Sequence, residues 1–112
     1  MELSLNEQNG TAVIELHGNV MGGPDALHLN EKLHELGDKG IKRVILDLSN
    51  VNVINSSGLG MLIGGLTAMR NMGGELKIAK ASPKVETLLT VAKLQSVFPN
   101  YSSVEEAQNS FS

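Results

Sequence analysis

The apolar positions of this chain change period along its length, and the changes mark out its elements. Leu3 and Leu5 alternate with polar neighbours, and after Asn9-Gly10 the run Thr11-Ala12-Val13-Ile14-Glu15-Leu16 follows. Asn-Gly suits a two-residue hairpin turn because both central positions need positive φ, so residues 3–8 and 11–17 are expected to form an antiparallel pair. A glycine-rich stretch, Gly18-Asn19-Val20-Met21-Gly22-Gly23, reads as a loop, and Pro24 suits the first turn of a helix. Ala26, Leu29, Leu33 and Leu36 then recur at helical spacing until Gly37 and Gly40 stop the run. Residues 42–48 form a short apolar run of buried-strand type. A helix is expected over about 57–72, a half-buried strand over 75–80, and a third helix from Ser82-Pro83, with Val85, Leu88, Leu89 and Ala92 on one face. Val97-Phe98 reads as a brief strand. Ser103-Val104-Glu105-Glu106 has capping-box spacing and opens a last helix.

The resulting order, β-β-α-β-α-β-α-β-α, predicts an α/β domain over residues 1–112. Its mixed sheet would begin with an antiparallel hairpin and continue through right-handed crossovers, with about four helices. A chain of 112 residues, 41% of them apolar, suffices for one core. Lys and Arg number 9 against 12 Asp and Glu, a net charge of −3 that argues against a nucleic-acid partner. Cysteine is absent, which removes disulfides and thiolate metal sites. No apolar run approaches the roughly 18 residues of a membrane helix, and the start lacks a signal-peptide core, so no membrane insertion and a cytoplasmic protein are expected.

Several motifs fail on inspection. Gly58, Gly60 and Gly64 mimic a dinucleotide fingerprint but with the wrong spacing, and Leu66 stands where a phosphate loop needs lysine. Asn55-Ser56-Ser57-Gly58-Leu59 lacks the first glycine of a hydrolase elbow, and no histidine can be tied to its serines. His28 and His34 project from different sides of one helix and would not share a metal.

The helix after Asn55 is the unusual one. Placed at the helical period, Leu59, Leu62, Ile63, Leu66 and Met69 form its core face, with Arg70 also on that side. The opposite face carries Ser57, Met61, Gly64, Ala68 and Met72, flanked by Gly60, Gly65 and Asn71. That face has no charge at all. Small and Met-rich outer surfaces are costly unless something packs on them: either the protein's own elements bury the helix on both sides, or, as a chain this short favours, the face is a docking surface for another protein. One of Asn55, Ser56 and Ser57 is the helix cap. A phosphate on Ser57 would add about −1.5 to −2 charges at neutral pH; the helix start tolerates that, a partner on the apolar face does not.

The stretch Asp47-Leu48-Ser49, followed by Asn55-Ser56-Ser57-Gly58-Leu59-Gly60, resembles the STAS domain family, the bacterial anti-sigma factor antagonists, and the element order resembles it over nearly the whole chain. The resemblance implies a small α/β domain with no catalytic activity and no cofactor. It implies binding to an anti-sigma factor that is also a GHKL-type serine kinase. That binding frees the sigma factor, the kinase then phosphorylates the antagonist with ATP, and a phosphatase, expected to be of PP2C type, restores it. The phosphorylated position matches Ser57. Asn55, Ser56, Gly58, Gly60, Met61, Gly64 and Ala68, with Met21 from the glycine loop, are the expected partner-binding residues. Phosphorylated members usually carry Asp where this chain has Asn55, and an acidic residue is common near Met21. The alternative is therefore an unphosphorylated scaffold or accessory subunit of stressosome or lipid-transport type.

Overall fold

The computed structural model describes residues 1–111. Its elements run in the order β1 (Glu2–Gln8), β2 (Thr11–Val20), α1 (Pro24–Asp38), β3 (Arg43–Ile54), α2 (Ser56–Asn71), β4 (Glu75–Ala79), α3 (Pro83–Val91), β5 (Asn100–Tyr101) and α4 (Val104–Ser110). The five strands form one sheet in chain order, with β1 antiparallel to β2 and every later neighbour parallel. Asn9 and Gly10 both take positive φ, 53° and 79°, as a tight hairpin turn requires, and Gln8 lies opposite Thr11.

Alternation along the strands sorts the two faces. Ala12, Ile14 and Leu16 of β2, Val44, Leu46 and Leu48 of β3, and Leu76 and Ile78 of β4 are buried in one cluster with apolar side chains of α1, α2 and α3. Val13, Ile45 and Ala79 point the other way and meet Ala107 of α4. Gln108 ties α4 to the hairpin, its amide donating to Thr11 Oγ1 at 2.9 Å. Leu29, Leu33 and Leu36 form the buried stripe of α1, as their spacing predicts. A Cβ on Gly65 would sit 3.2 Å from Leu33 Cδ1, so this glycine lets α1 and α2 pack closely.

Three boundaries differ from the sequence expectation. β2 and β3 continue past residues 17 and 48, to Val20 and Ile54, so that the first half of the glycine stretch, Gly18 to Val20, and the apolar bend are paired strand, while Met21 to Gly23 remain a loop. The reason is bulging. Glu15 faces Asp47 and His17 faces Asn50, so Leu48 and Ser49 oppose Leu16 alone; a second shift leaves Asn52 unmatched. Each extra residue breaks the alternation from which a strand is read. Asp47 closes the first bulge. It is 4% exposed, and its Oδ1 accepts from the Ser49 amide at 2.9 Å and the Ser49 hydroxyl at 2.7 Å. Its Oδ2 lies 3.7 Å from Lys80 Nζ. The last strand is Asn100–Tyr101, not Val97-Phe98. The amides of Val97 and Phe98 both donate to the Leu94 carbonyl in a turn, and Phe98, 1% exposed, joins the main core cluster.

Leu66 lies within that cluster, 4% exposed. Leu66→Ala is expected to cost about 2–5 kcal/mol through lost burial and a residual cavity, read as a lower urea midpoint with unchanged slope.

Candidate functional site

The site is built where β3 gives way to α2. Asn55 is extended, and its side chain accepts from the Gly58 amide at 2.8 Å while its carbonyl accepts from Leu59 at 2.9 Å. Asn55 is thus the cap, which leaves Ser56 and Ser57 in the first turn with free side chains. Gly58 seats the helix. A Cβ there would come 2.1 Å from the Val20 carbonyl oxygen and 2.8 Å from Ile54 Cγ1, a space that only glycine fits. Clamped against the end of β2 in this way, the helix presents Ser57 to solvent.

The loop between β2 and α1 closes over the same corner. Gly22, at φ 81°, lies so near Ser57 that a Cβ on it would be 2.7 Å from that of the serine. Asp25 pins the loop: one carboxylate oxygen accepts from the Met21 amide at 3.5 Å and the other lies 3.6 Å from the amino terminus. A groove of about 590 Å³ runs from Ser57 between α1 and α2. Its walls include Gly22, Ala26, Leu27, Gly60, Met61 and Gly64, and among the described residues no charged side chain lines it. The first turn of α2 also lacks an acidic residue. The partial positive charge of the helix start is therefore unopposed from within the helix.

The structure brings Ser57, Gly60, Met61 and Gly64 to this groove, with Met21 44% exposed on the adjoining loop. Ser56 is exposed, Asn55 half-buried, and Gly58 buried beneath the corner. Ala68 is half-buried and lies outside the groove. The expected outer face of α2 needs correction. Met61 is only 5% exposed and belongs to the core cluster, whereas Ile63, expected inside, is 39% exposed. Arg70 is exposed as well and pairs with Glu75 at 3.1 Å. The physical reason is α1, which packs along one flank of α2 over Met61 and Gly65 and turns the open face toward Gly60, Ile63, Gly64 and Thr67. A helical wheel of α2 alone holds no record of that neighbour. Sequence reasoning also missed Leu27, 62% exposed on the far wall, and the contact of Gly22. The adjacent glycines at 22 and 23 were the available signal for the latter.

Comparison with known proteins follows the same lines. The family model for the STAS domain matches residues 2–107. A Bordetella bronchiseptica protein named "Putative anti-sigma factor antagonist BtrV" is 31% identical over 111 residues, which cover 99% of this chain and 95% of that protein. Among solved structures, the Thermotoga maritima protein described as "a putative anti-sigma factor antagonist" superposes with a TM-score of 0.83 at 20% identity, over 96% of this chain and 92% of that one. The Bacillus cell fate determinant SpoIIAA in its phosphorylated form gives 0.71 at 19% identity, over 96% and 97%.

The burial assignments separate two aspartate substitutions. Met61→Asp places an unpaired charge in the core and is expected to cost about 3–5 kcal/mol. Ile63→Asp falls on the open face and is expected to stay within about 0.5 kcal/mol of the wild type. Urea unfolding of both variants measures the difference.

Proposed function

The chain belongs to the STAS domain family, among the anti-sigma factor antagonists, and from that premise we propose that Ser57 is a phosphorylation switch controlling a protein complex. STAS anti-sigma factor antagonists are non-enzymatic regulatory proteins. The partner in this reading is an anti-sigma factor that doubles as a GHKL-type serine kinase, docked over the groove between α1 and α2 while Ser57 carries its hydroxyl. Docking withdraws the partner from its sigma factor. The Ser57 oxygen then attacks the γ-phosphorus of ATP held by the kinase. A bond forms from Oγ to phosphorus, the bond to the bridging oxygen breaks, ADP leaves, and the hydroxyl proton passes to a base of the kinase. A PP2C-type phosphatase reverses the modification by hydrolysis. The reading places the whole cycle in the cytoplasm and treats the chain as one STAS domain; among the described residues no helix is long and apolar enough to cross a membrane.

The observation that carries this reading is an exposed serine in the first turn of a capped helix, beside a groove with no charged lining. The Gly58 amide is held by Asn55, and a phosphate on Ser57 gains the partial positive charge of the helix start. The same phosphate, at about −1.5 to −2 charges, would have to be desolvated for an apolar partner surface to remain seated. The phospho-state thus separates the partners without unfolding the domain.

A second reading is favoured by Asn55 and Met21, which leave the corner without the carboxylates usual in phosphorylated members. In it the groove holds a constitutive partner, as in a scaffold or accessory subunit, and Ser57 is never modified.

Incubation with GHKL-type anti-sigma factor kinases of the source organism, ATP and phosphate mapping by mass spectrometry distinguishes the two. The switch predicts phosphate on Ser57, none on Ser57→Ala, and an affinity of Ser57→Asp for the kinase lowered at least about tenfold, or 1.4 kcal/mol. Phosphate on another residue, or unchanged affinity of Ser57→Asp, supports the constitutive reading instead.

A further inference from the structure

At the opposite end of β3 from Ser57, we propose, a cavity of about 520 Å³ binds a small phosphate-bearing anion. Lys42, Arg70 and Lys77 line it together with Arg43, and Glu75 is the one carboxylate side chain among the described lining residues. Four of the nine Lys and Arg residues of a chain with net charge −3 are thus gathered on one cavity. Arg70 and Glu75 neutralise each other at 3.1 Å. The two lysines are not neutralised in this way. Lys42 Nζ donates to the Met72 carbonyl and Lys77 Nζ to Ser110 Oγ, each at 2.6 Å, and neither meets a carboxylate among the described residues. An ammonium has three N–H groups, so both keep donors to spare.

Lys77 is the telling residue. It projects from β4, half-buried, with its ammonium 5.4 Å from the Tyr101 ring centre and 4.7 Å from that of Phe111. The rings repay part of the cost of partly taking this charge out of water, and the ammonium is left without a carboxylate partner among the described residues. Hydroxyls of Tyr101 and Ser110 stand on the same wall. A hydrogen bond with Ser110 and the Lys77 charge hold the Tyr101 phenol below its ordinary pKa of 10.0, against the opposing effect of burial. Several cationic donors converging on one space suit the terminal oxygens of a phosphate better than a single carboxylate. The volume is that of a small-molecule site.

Tyr101 is the only tyrosine and the chain has no tryptophan, so intrinsic fluorescence reports on this cavity alone. Inorganic pyrophosphate, titrated into the full chain, is expected to give a saturable fluorescence change. Amide NMR shifts should gather at Lys42, Gly73, Lys77 and Tyr101 and spare Asn55 to Gly60. ADP, followed by NMR, separates the sources: tighter binding than pyrophosphate identifies a nucleotide diphosphate, and equal or weaker binding identifies free phosphates. Lys77→Gln is expected to weaken binding at least tenfold, while Lys32→Gln on α1 leaves it unchanged. Should Lys77→Gln not fold, Lys42→Gln at an exposed side chain is expected to weaken binding severalfold. Absence of saturable binding by both probes, or full affinity in the folded lysine variant, overturns the proposal. None of these outcomes bears on Ser57, so the switch stands or falls separately.

Discussion

The contact on which the site depends is the approach of Gly58 to the Val20 carbonyl. A Cβ on Gly58 would come 2.1 Å from that oxygen, so the helix start can lie this close to the strand only with glycine at this position. Asn55 fixes the same turn from the other side by capping the Gly58 amide. With those two constraints in place, Ser57 faces water and Gly22 fits over its backbone side. The register of β2 against β3 supplies the geometry, because Val20 reaches Gly58 only after two bulges in β3 and pairing of Val20 with Ile54. Asp47 satisfies the amide that the first bulge leaves unpaired. The Asp47-Leu48-Ser49 segment and the serine pair are thus two parts of one mechanical device.

Electrostatics give the corner its character. Asparagine caps an amide as well as aspartate does, but brings no charge. The first turn of α2 then keeps its partial positive charge, with no carboxylate on the helix to repel a phosphate. The groove beside it is uncharged and apolar, a surface where a dianion is costly to bury. The two properties lie side by side, and the proposed switch rests on their opposition: one side would accommodate a phosphate and the other would expel the partner seated there. The positive cavity at the far end of β3 is set apart from this corner by the length of the strand.

Much of the fold was legible because local rules and tertiary packing agree. Asn9-Gly10, the stripe Leu29, Leu33 and Leu36, and the caps at Ser82 and Ser103 each act through neighbours close in sequence. The misreadings arise where distant chain decides. Bulges opposite β2 hide the ends of both long strands. Phe98 reads as strand from its type but is a core plug in a turn. The face of α2 was placed one flank away, because a wheel built from apolar positions finds the helix's own centre of hydrophobicity and not the side on which α1 lies. Met61 and Ile63 exchange roles for that reason. The exposed place of Ser57 in the first turn does not depend on that face, because the Asn55 cap fixes this turn locally.

The central claim is that Ser57 can carry a phosphate without disturbing the seat at Gly58. Its most direct test compares the unfolding free energy of stoichiometrically Ser57-phosphorylated protein with that of the unmodified chain. The account predicts equal stability or a gain of about 0.3–1 kcal/mol from the favourable helix start. A loss of more than about 1 kcal/mol would contradict it, because the phosphate would then be prising the helix from the strand.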